Sequence, residues 1–180
     1  MRVFAIALTA ALMLTQPAAA AVTSVAKNGF EVKETVHIAA KPSSVYYVLV
    51  RPARWWSSEH TFSGSASNLS MAPKAGGCWC ERLPDGGSVQ HLQVVYVKSD
   101  ELLRLRGALG PLQSEPVVGV LTFQLTPGNG GTVLTVLYSA GGYSAKGFAQ
   151  WSKAVDGVLA EQVARLKRAV ETGSPDGGRR

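Results

Sequence analysis

The sequence predicts an α+β chain: antiparallel strands forming a sheet, with one long C-terminal helix laid across it. Three observations carry this. The first is the stretch from Phe148 to Val170, where Trp151, Val155, Val158, Leu166 and Ala169 fall on one helical stripe. Phe148, Leu159, Val163 and Val170 flank it, and Lys153, Asp156, Ala160, Lys167 and Glu171 fall opposite. About six turns of this period make roughly 35 Å of helix, and Gly173 and Pro175 stop it. A stripe that long needs a broad apolar surface to lie on. The second observation supplies one, because residues 30–143 read as successive strands with period-two alternation and hairpin turns. The third is the interruption from Pro42 to Trp56, which reads as two short helices directly after the first strand. One polar residue, Gln162, sits in the middle of the helical stripe, either as a buried amide bonded to nearby backbone or as a ligand contact.

Taken in order, the chain opens with Arg2, a twelve-residue apolar run from Val3 to Leu14, and the small residues Ala18 to Ala20. This is the pattern of a cleavable signal peptide over residues 1–20, and it predicts an exported chain, periplasmic or secreted, with no membrane span. Residues 21–29 read as a linker, 30–172 as a single domain and 173–180 as a disordered tail. Removing Arg2 takes the formal charge from +6 to +5, with part of the excess in Lys167, Arg168, Arg179 and Arg180. Without basic stripes interleaved with aromatics this charge does not indicate nucleic acid, and it allows at most a weak association with anionic envelope surfaces.

Phe30, Val32, Val36 and Ile38 alternate with Glu31, Lys33, Thr35 and His37 in the first strand. Val45, Val48 and Leu49 share the inner face of the first short helix, Pro52 ends it, and Arg54-Trp55-Trp56 makes the second. His60 to Leu69 reads as a weak strand with loops, followed by strands at Cys78 to Leu83, Val89 to Val97, Leu103 to Arg106, Val117 to Thr126 and Thr132 to Tyr143.

This order of elements resembles the START-like (SRPBCC, Bet v 1-like) superfamily, and several stretches resemble its polyketide-cyclase/Hsp90-activator-like branch. Ala40-Lys41-Pro42-Ser43-Ser44-Val45 with Arg54-Trp55-Trp56 is similar to that branch's first helix and following tryptophan, and Gly76 to Glu81 to its Gly-Gly strand opening. Leu105 to Gln113, and Val155 to Leu159 with Gln162, Arg165 and Leu166, look like an exported bacterial subgroup. The resemblance covers Phe30 to Ala169 and implies the helix-grip fold, a curved antiparallel sheet of about seven strands wrapped around the C-terminal helix. It also implies a cavity for a small hydrophobic ligand, lined by candidates Trp55, Trp56, Tyr138, Trp151 and Gln162, in a carrier or sensor.

The chemistry-bearing residues centre on Cys78 and Cys80. At i, i+2 in a strand both point to one face, with Cα atoms about 6.5–7 Å apart, at or beyond the reach of an unstrained disulfide. A two- or four-residue loop around Asp85-Gly86 sets Cys80 opposite His91 and Cys78 opposite Gln93. Cys78, Cys80 and His91 then share a face, with His60 as a fourth neighbour, a donor set suited to Zn²⁺ or copper. The alternative is plain packing of two small side chains, and a three- or five-residue loop would take His91 off the cysteine face. Glu81 lies on the other face, either solvated or paired with an arginine. No Gly-x-Ser-x-Gly, phosphate loop or His-Glu-x-x-His is present, so no catalytic residue is assigned. A cyclase, hydrolase or metal-dependent enzyme built on the Cys/His cluster stands as the alternative to a binding module.

Overall fold

The computed structural model describes residues 21–178; the leader-like segment 1–20 and the last two arginines lie outside the described residues. Eight antiparallel strands form one sheet: β1 (Ala21–Ala26), β2 (Gly29–Ile38), β3 (Leu69–Met71), β4 (Cys78–Arg82), β5 (Ser88–Lys98), β6 (Leu102–Gly107), β7 (Val117–Gly128) and β8 (Gly131–Gly142). Their order across the sheet is β1-β2-β8-β7-β6-β5-β4-β3. The short helix α1 (Pro42–Leu49) follows β2, and the long helix α2 (Ala149–Thr172) closes the domain. This is the helix-grip arrangement, with the core between the inner face of the sheet and α2.

The β2–β8–β7 half is regular. β2 meets β8 without a break from Gly29↔Gly141 to Ile38↔Thr132, and β8 meets β7 from Val117↔Gly142 to Gly128↔Gly131. Alternation sends Phe30, Val32, Val36 and Ile38 of β2 and Leu134, Val136, Tyr138 and Ala140 of β8 into the core. Each fully buried leucine or phenylalanine in such a row contributes roughly 1.5–3 kcal/mol. Glu34 occupies the same inward row and is fully buried. Gly119 on β7 lets the Tyr138 ring lie across the neighbouring strand, because a Cβ there would collide with that ring.

α1 begins with Pro at its first turn and buries Val45, Val48 and Leu49, as the sequence predicts. The second short helix is a 3₁₀ turn, Pro52–Arg54, that delivers Trp55 and Trp56 to the core. On α2 the buried residues are Ser152, Val155, Leu159, Gln162, Val163, Leu166 and Ala169. The buried side is therefore rotated from the predicted stripe, leaving Trp151 and Val158 half-buried at its margin. Glu171 accepts the Ala39 N–H (2.8 Å) and Lys167 donates to the His37 carbonyl (2.6 Å), fastening the end of α2 to the end of β2.

Three expectations need correction. Residues 21–26, read as linker, form edge strand β1 paired with β2; its side chains are mostly exposed, so no alternation marks it. His60 to Leu69 is not a strand. It runs through 3₁₀ turns at Ser58–His60 and Ala66–Asn68, and serine hydroxyls there bond local backbone in place of a ladder: the Ser58 hydroxyl accepts the Ala66 N–H and the Ser63 hydroxyl the Ser65 N–H. The described part of the tail is ordered. Gly173 takes the left-handed conformation (φ 80°) that turns the chain back, Asp176 pairs with Arg165 at 2.7 Å, and Arg168 donates to the Pro175 carbonyl.

Candidate functional site

The other end of the sheet is irregular. The β4–β5 hairpin closes on three residues, Pro84-Asp85-Gly86, with the Leu83 N–H bonded to the Gly87 carbonyl (2.8 Å). Asp85 (φ 64°) and Gly86 (φ 82°) are both left-handed. An odd loop displaces the register by one, so Cys80 faces Gln90 and not His91. A β-bulge then inserts His91 as the extra residue of β5, and beyond it Trp79 pairs with Leu92 and Cys78 with Gln93. The predicted Cys78–Gln93 pairing is thus reached through two offsets that cancel. Because of the bulge, the successive residues His91 and Leu92 are both buried.

Trp79 and Glu81 of β4 also point inward, while Cys78 and Cys80 lie half-buried on the outer face. The cysteines are joined in a disulfide, with Cα atoms 5.4 Å apart. The extended spacing of about 6.5–7 Å that argued against a disulfide does not hold: the two Cα atoms lie 5.4 Å apart, in the stretch of β4 where its register against β5 shifts. The proposed metal set is therefore split. Both thiols are oxidised and face outward, His91 faces inward, and His60 pairs with Glu161 at 3.0 Å. Among the described residues no group of three or more Cys, His, Asp or Glu side chains comes together that could hold a metal ion.

Glu81, fully buried, is neither solvated nor paired with an arginine. It accepts the N–H groups of Phe62 (3.1 Å) and Ser63, and lies 2.8 Å from His91 Nε2. Burial raises its pKa, but the bonds from the Ser63 side chain, the Ser63 and Phe62 backbone and His91 outweigh this and hold the carboxyl below its ordinary value. The side chain is thus an ionised acceptor, and His91 Nε2–H donates to it. Phe62, half exposed, stacks on the His91 ring with centroids 5.8 Å apart and planes 27° off parallel.

His91 lies on the wall of a cavity of about 360 Å³ between sheet and α2. The wall is apolar for most of its area: Trp56, Phe62, Leu69, Trp79, Leu112, Trp151, Val155 and Val158 contribute, and Glu59, His60 and His91 also line it. The Leu109–Leu112 turn forms another wall. Tyr138 holds that turn: its hydroxyl accepts the Leu109 N–H (3.3 Å) and donates to the Gly107 carbonyl (3.5 Å). Burial pushes the Tyr138 pKa up to about 12, partly offset by the Leu109 bond, so it stays a neutral phenol.

Of the five predicted lining residues, Trp56 and Trp151 reach the cavity. Trp55 is buried behind it, donating to the Leu49 carbonyl (3.1 Å) and packed edge-on against Trp56 and Trp79. Tyr138 acts through the turn it holds. Gln162 takes the backbone-bonded role, accepting the Ser57 N–H at 2.8 Å, while its Nε2 has no partner among the described residues. Sequence reasoning missed Trp79, Phe62 and Glu81. The signal for Glu81 was present, because it shares a strand face with Trp79 and that face is the dry one.

An inward-facing apolar cavity gripped between a curved sheet and a C-terminal helix defines a ligand-binding α+β domain. The family model for polyketide cyclase/dehydrase and lipid transport matches residues 29–171, and the chain belongs to that family. No curated protein matches it. Similar solved structures include a conserved protein of unknown function from Enterococcus faecalis (16% identity, 87% of this chain and 78% of that one, TM-score 0.59). The Aha1 dimer from Colwellia psychrerythraea is another (17% identity, 79% and 97%, TM-score 0.55). DynU16, from the dynemicin biosynthetic locus, is a third (24% identity, TM-score 0.54); this chain covers 48% of its length, and 81% of this chain is covered. At these identities the likeness is one of fold.

Proposed function

We propose that the protein is an exported carrier or sensor that holds a small hydrophobic molecule between its sheet and α2. The observation that carries this reading is the cavity itself, about 360 Å³, walled by Trp56, Phe62, Trp79 and Trp151 together with aliphatic residues. Such a wall gains by the removal of apolar surface from water and asks little of a ligand beyond shape. Two features support export. The N-terminal segment carries Arg2, the apolar run Val3 to Leu14 and Ala18 to Ala20, the pattern of a cleavable signal peptide, and a Cys78–Cys80 disulfide suits an oxidising compartment. Among the described residues no helix is long and apolar enough to cross a membrane. The metal-dependent enzyme loses its donor set to the disulfide and to the inward turn of His91.

Native mass spectrometry of the protein purified from its own envelope tests the reading, together with uptake of an anilinonaphthalene sulfonate probe. A chain starting near Ala21, carrying a releasable small molecule or taking up the probe, is expected. Filling the cavity with Val158→Trp should abolish uptake while the fold, read by circular dichroism, remains. A protein that neither carries a ligand nor takes up the probe ends the reading.

A further inference from the structure

The Cys78–Cys80 bridge sits where it can shape the cavity wall. With one residue between its cysteines it closes one of the shortest loops a disulfide can close, so it restrains the unfolded chain very little. Its effect is local: it holds the two Cα atoms 5.4 Å apart, where an extended strand sets them about 6.5–7 Å apart. The residue it encloses is Trp79, whose buried side chain lines the cavity and packs edge-on against Trp55 and Trp56, with centroids 6.0 and 5.1 Å away. The residue after it is Glu81, which holds the Phe62 N–H and the His91 ring of the same wall. The chain before the bridge is pinned: the Gly76 N–H donates to the Val94 carbonyl (2.9 Å), the Val94 N–H to the Gly77 carbonyl (2.8 Å) and the Ala72 N–H to the Cys78 carbonyl (3.0 Å). Any lengthening of β4 therefore falls on Trp79 and Glu81, at the register shift beside His91.

The bridge is also open to attack. Both cysteines are only half-buried on the outer face, and their cross-strand neighbours Ser70, Gln90 and Gln93 are exposed and uncharged. Arg82, exposed two residues beyond Cys80 on the same face, sets a positive charge on the side from which a thiolate approaches. We propose that Cys78–Cys80 is a thiol–disulfide exchange site, opened by a dithiol reductant, and that its oxidation state sets the shape of the cavity wall. One thiolate of the reductant attacks a bridge sulfur, forming a mixed disulfide while the other cysteine leaves as a thiolate. The reductant's second thiol then displaces the first cysteine. The reductant ends as a disulfide, and its two electrons and two protons end on the two cysteine thiols. Freed of the bridge, β4 relaxes toward the extended spacing and carries Trp79 and Glu81 with it. The coupling to the cavity rests on the hydrophobic-cavity reading; the exchange does not.

The test treats the full mature protein with dithiothreitol at neutral pH, without denaturant. Intact mass should rise by two hydrogens, and both cysteines should then alkylate with iodoacetamide while circular dichroism keeps the fold. Tryptophan emission should shift, and affinity for the anilinonaphthalene sulfonate probe should change about two- to tenfold, the scale of one displaced aromatic contact. Reoxidation with oxidised glutathione should restore both signals. The double variant Cys78→Ser/Cys80→Ser should match the reduced protein and ignore dithiothreitol; should it not fold, the reduced wild type decides. A bridge that yields only in denaturant, or whose reduction unfolds the protein, overturns the exchange site. Reduction that leaves emission and probe affinity unchanged overturns the coupling. A protein that takes up no probe in either state counts against the cavity reading, and the emission then decides the coupling.

Discussion

Glu34 and Glu81 are two fully buried carboxylates on the inner face of one sheet, and the protein treats them in opposite ways. Glu81 collects the Phe62 and Ser63 N–H groups and His91 Nε2, and its pKa is held down. Neither oxygen of Glu34 has a partner among the described residues; burial first, and Asp156 second, raise its pKa to about 7. The difference follows from the backbone around each. Glu34 sits in the regular part of β2, opposite Val136 in the unbroken β2–β8 ladder. Glu81 sits beside a bulge and an irregular serine-rich segment whose N–H groups are not committed to a ladder. A regular sheet cannot solvate a charge; an irregular margin can.

The largest test of this contrast is Glu81→Leu. It strips partners from two backbone donors and an imidazole at once, and should cost about 3–5 kcal/mol in urea denaturation. A loss under about 1 kcal/mol would show that water reaches those donors. Because the folded pKa of Glu81 is depressed, its contribution is present above the unfolded value of 4.5 and is lost as pH falls through the folded value.

Glu34→Leu should act in the opposite direction. The folded carboxyl holds its proton up to about pH 7 while the unfolded one releases it near 4.5, so wild-type stability falls as pH rises through that window. The leucine variant should lose this slope and be more stable by roughly 3 kcal/mol at pH 8. A variant less stable than wild type at pH 8 would mean that Glu34 is satisfied after all.

The smallest effect belongs to Asp156→Asn. Removing the secondary cause should shift the Glu34-dependent decline to lower pH and lower it by under about 1 kcal/mol, since Asp156 is only partly buried. A shift as large as that of Glu34→Leu would make the carboxylate pair, and not burial, the main cause.

The contrast also marks what was legible in the residues. Alternation placed the inner row of β2 correctly from Phe30 to Ile38, yet it passed over Glu34, the one polar residue in a dry position. The helical period located α2 to within two residues of its ends, but not its rotation, because a wheel does not know that Trp151 and Val158 face a cavity and that Gln162 accepts the Ser57 N–H.

The sequence alone determined the run from β2 to α1, the strands from β4 to β8, the long C-terminal helix and the backbone-bonded role open to Gln162, because these depend on local periodicity, prolines and glycines, which act over a few residues. The helix-grip family came from the resemblance of particular stretches, and β1 and the turns from His60 to Asn68 were misread. Only the tertiary structure decided the site. Whether Cys80 meets His91 or Gln90 turns on a single residue in the hairpin loop, and the inward turn of His91 on a single extra residue in the bulge beyond it. That pair of offsets put the cysteines together on the outside as a disulfide and brought His91 to Glu81 on the inside, because strand register is set by the balance of the whole ladder and the packing beneath it, not by the residues being paired.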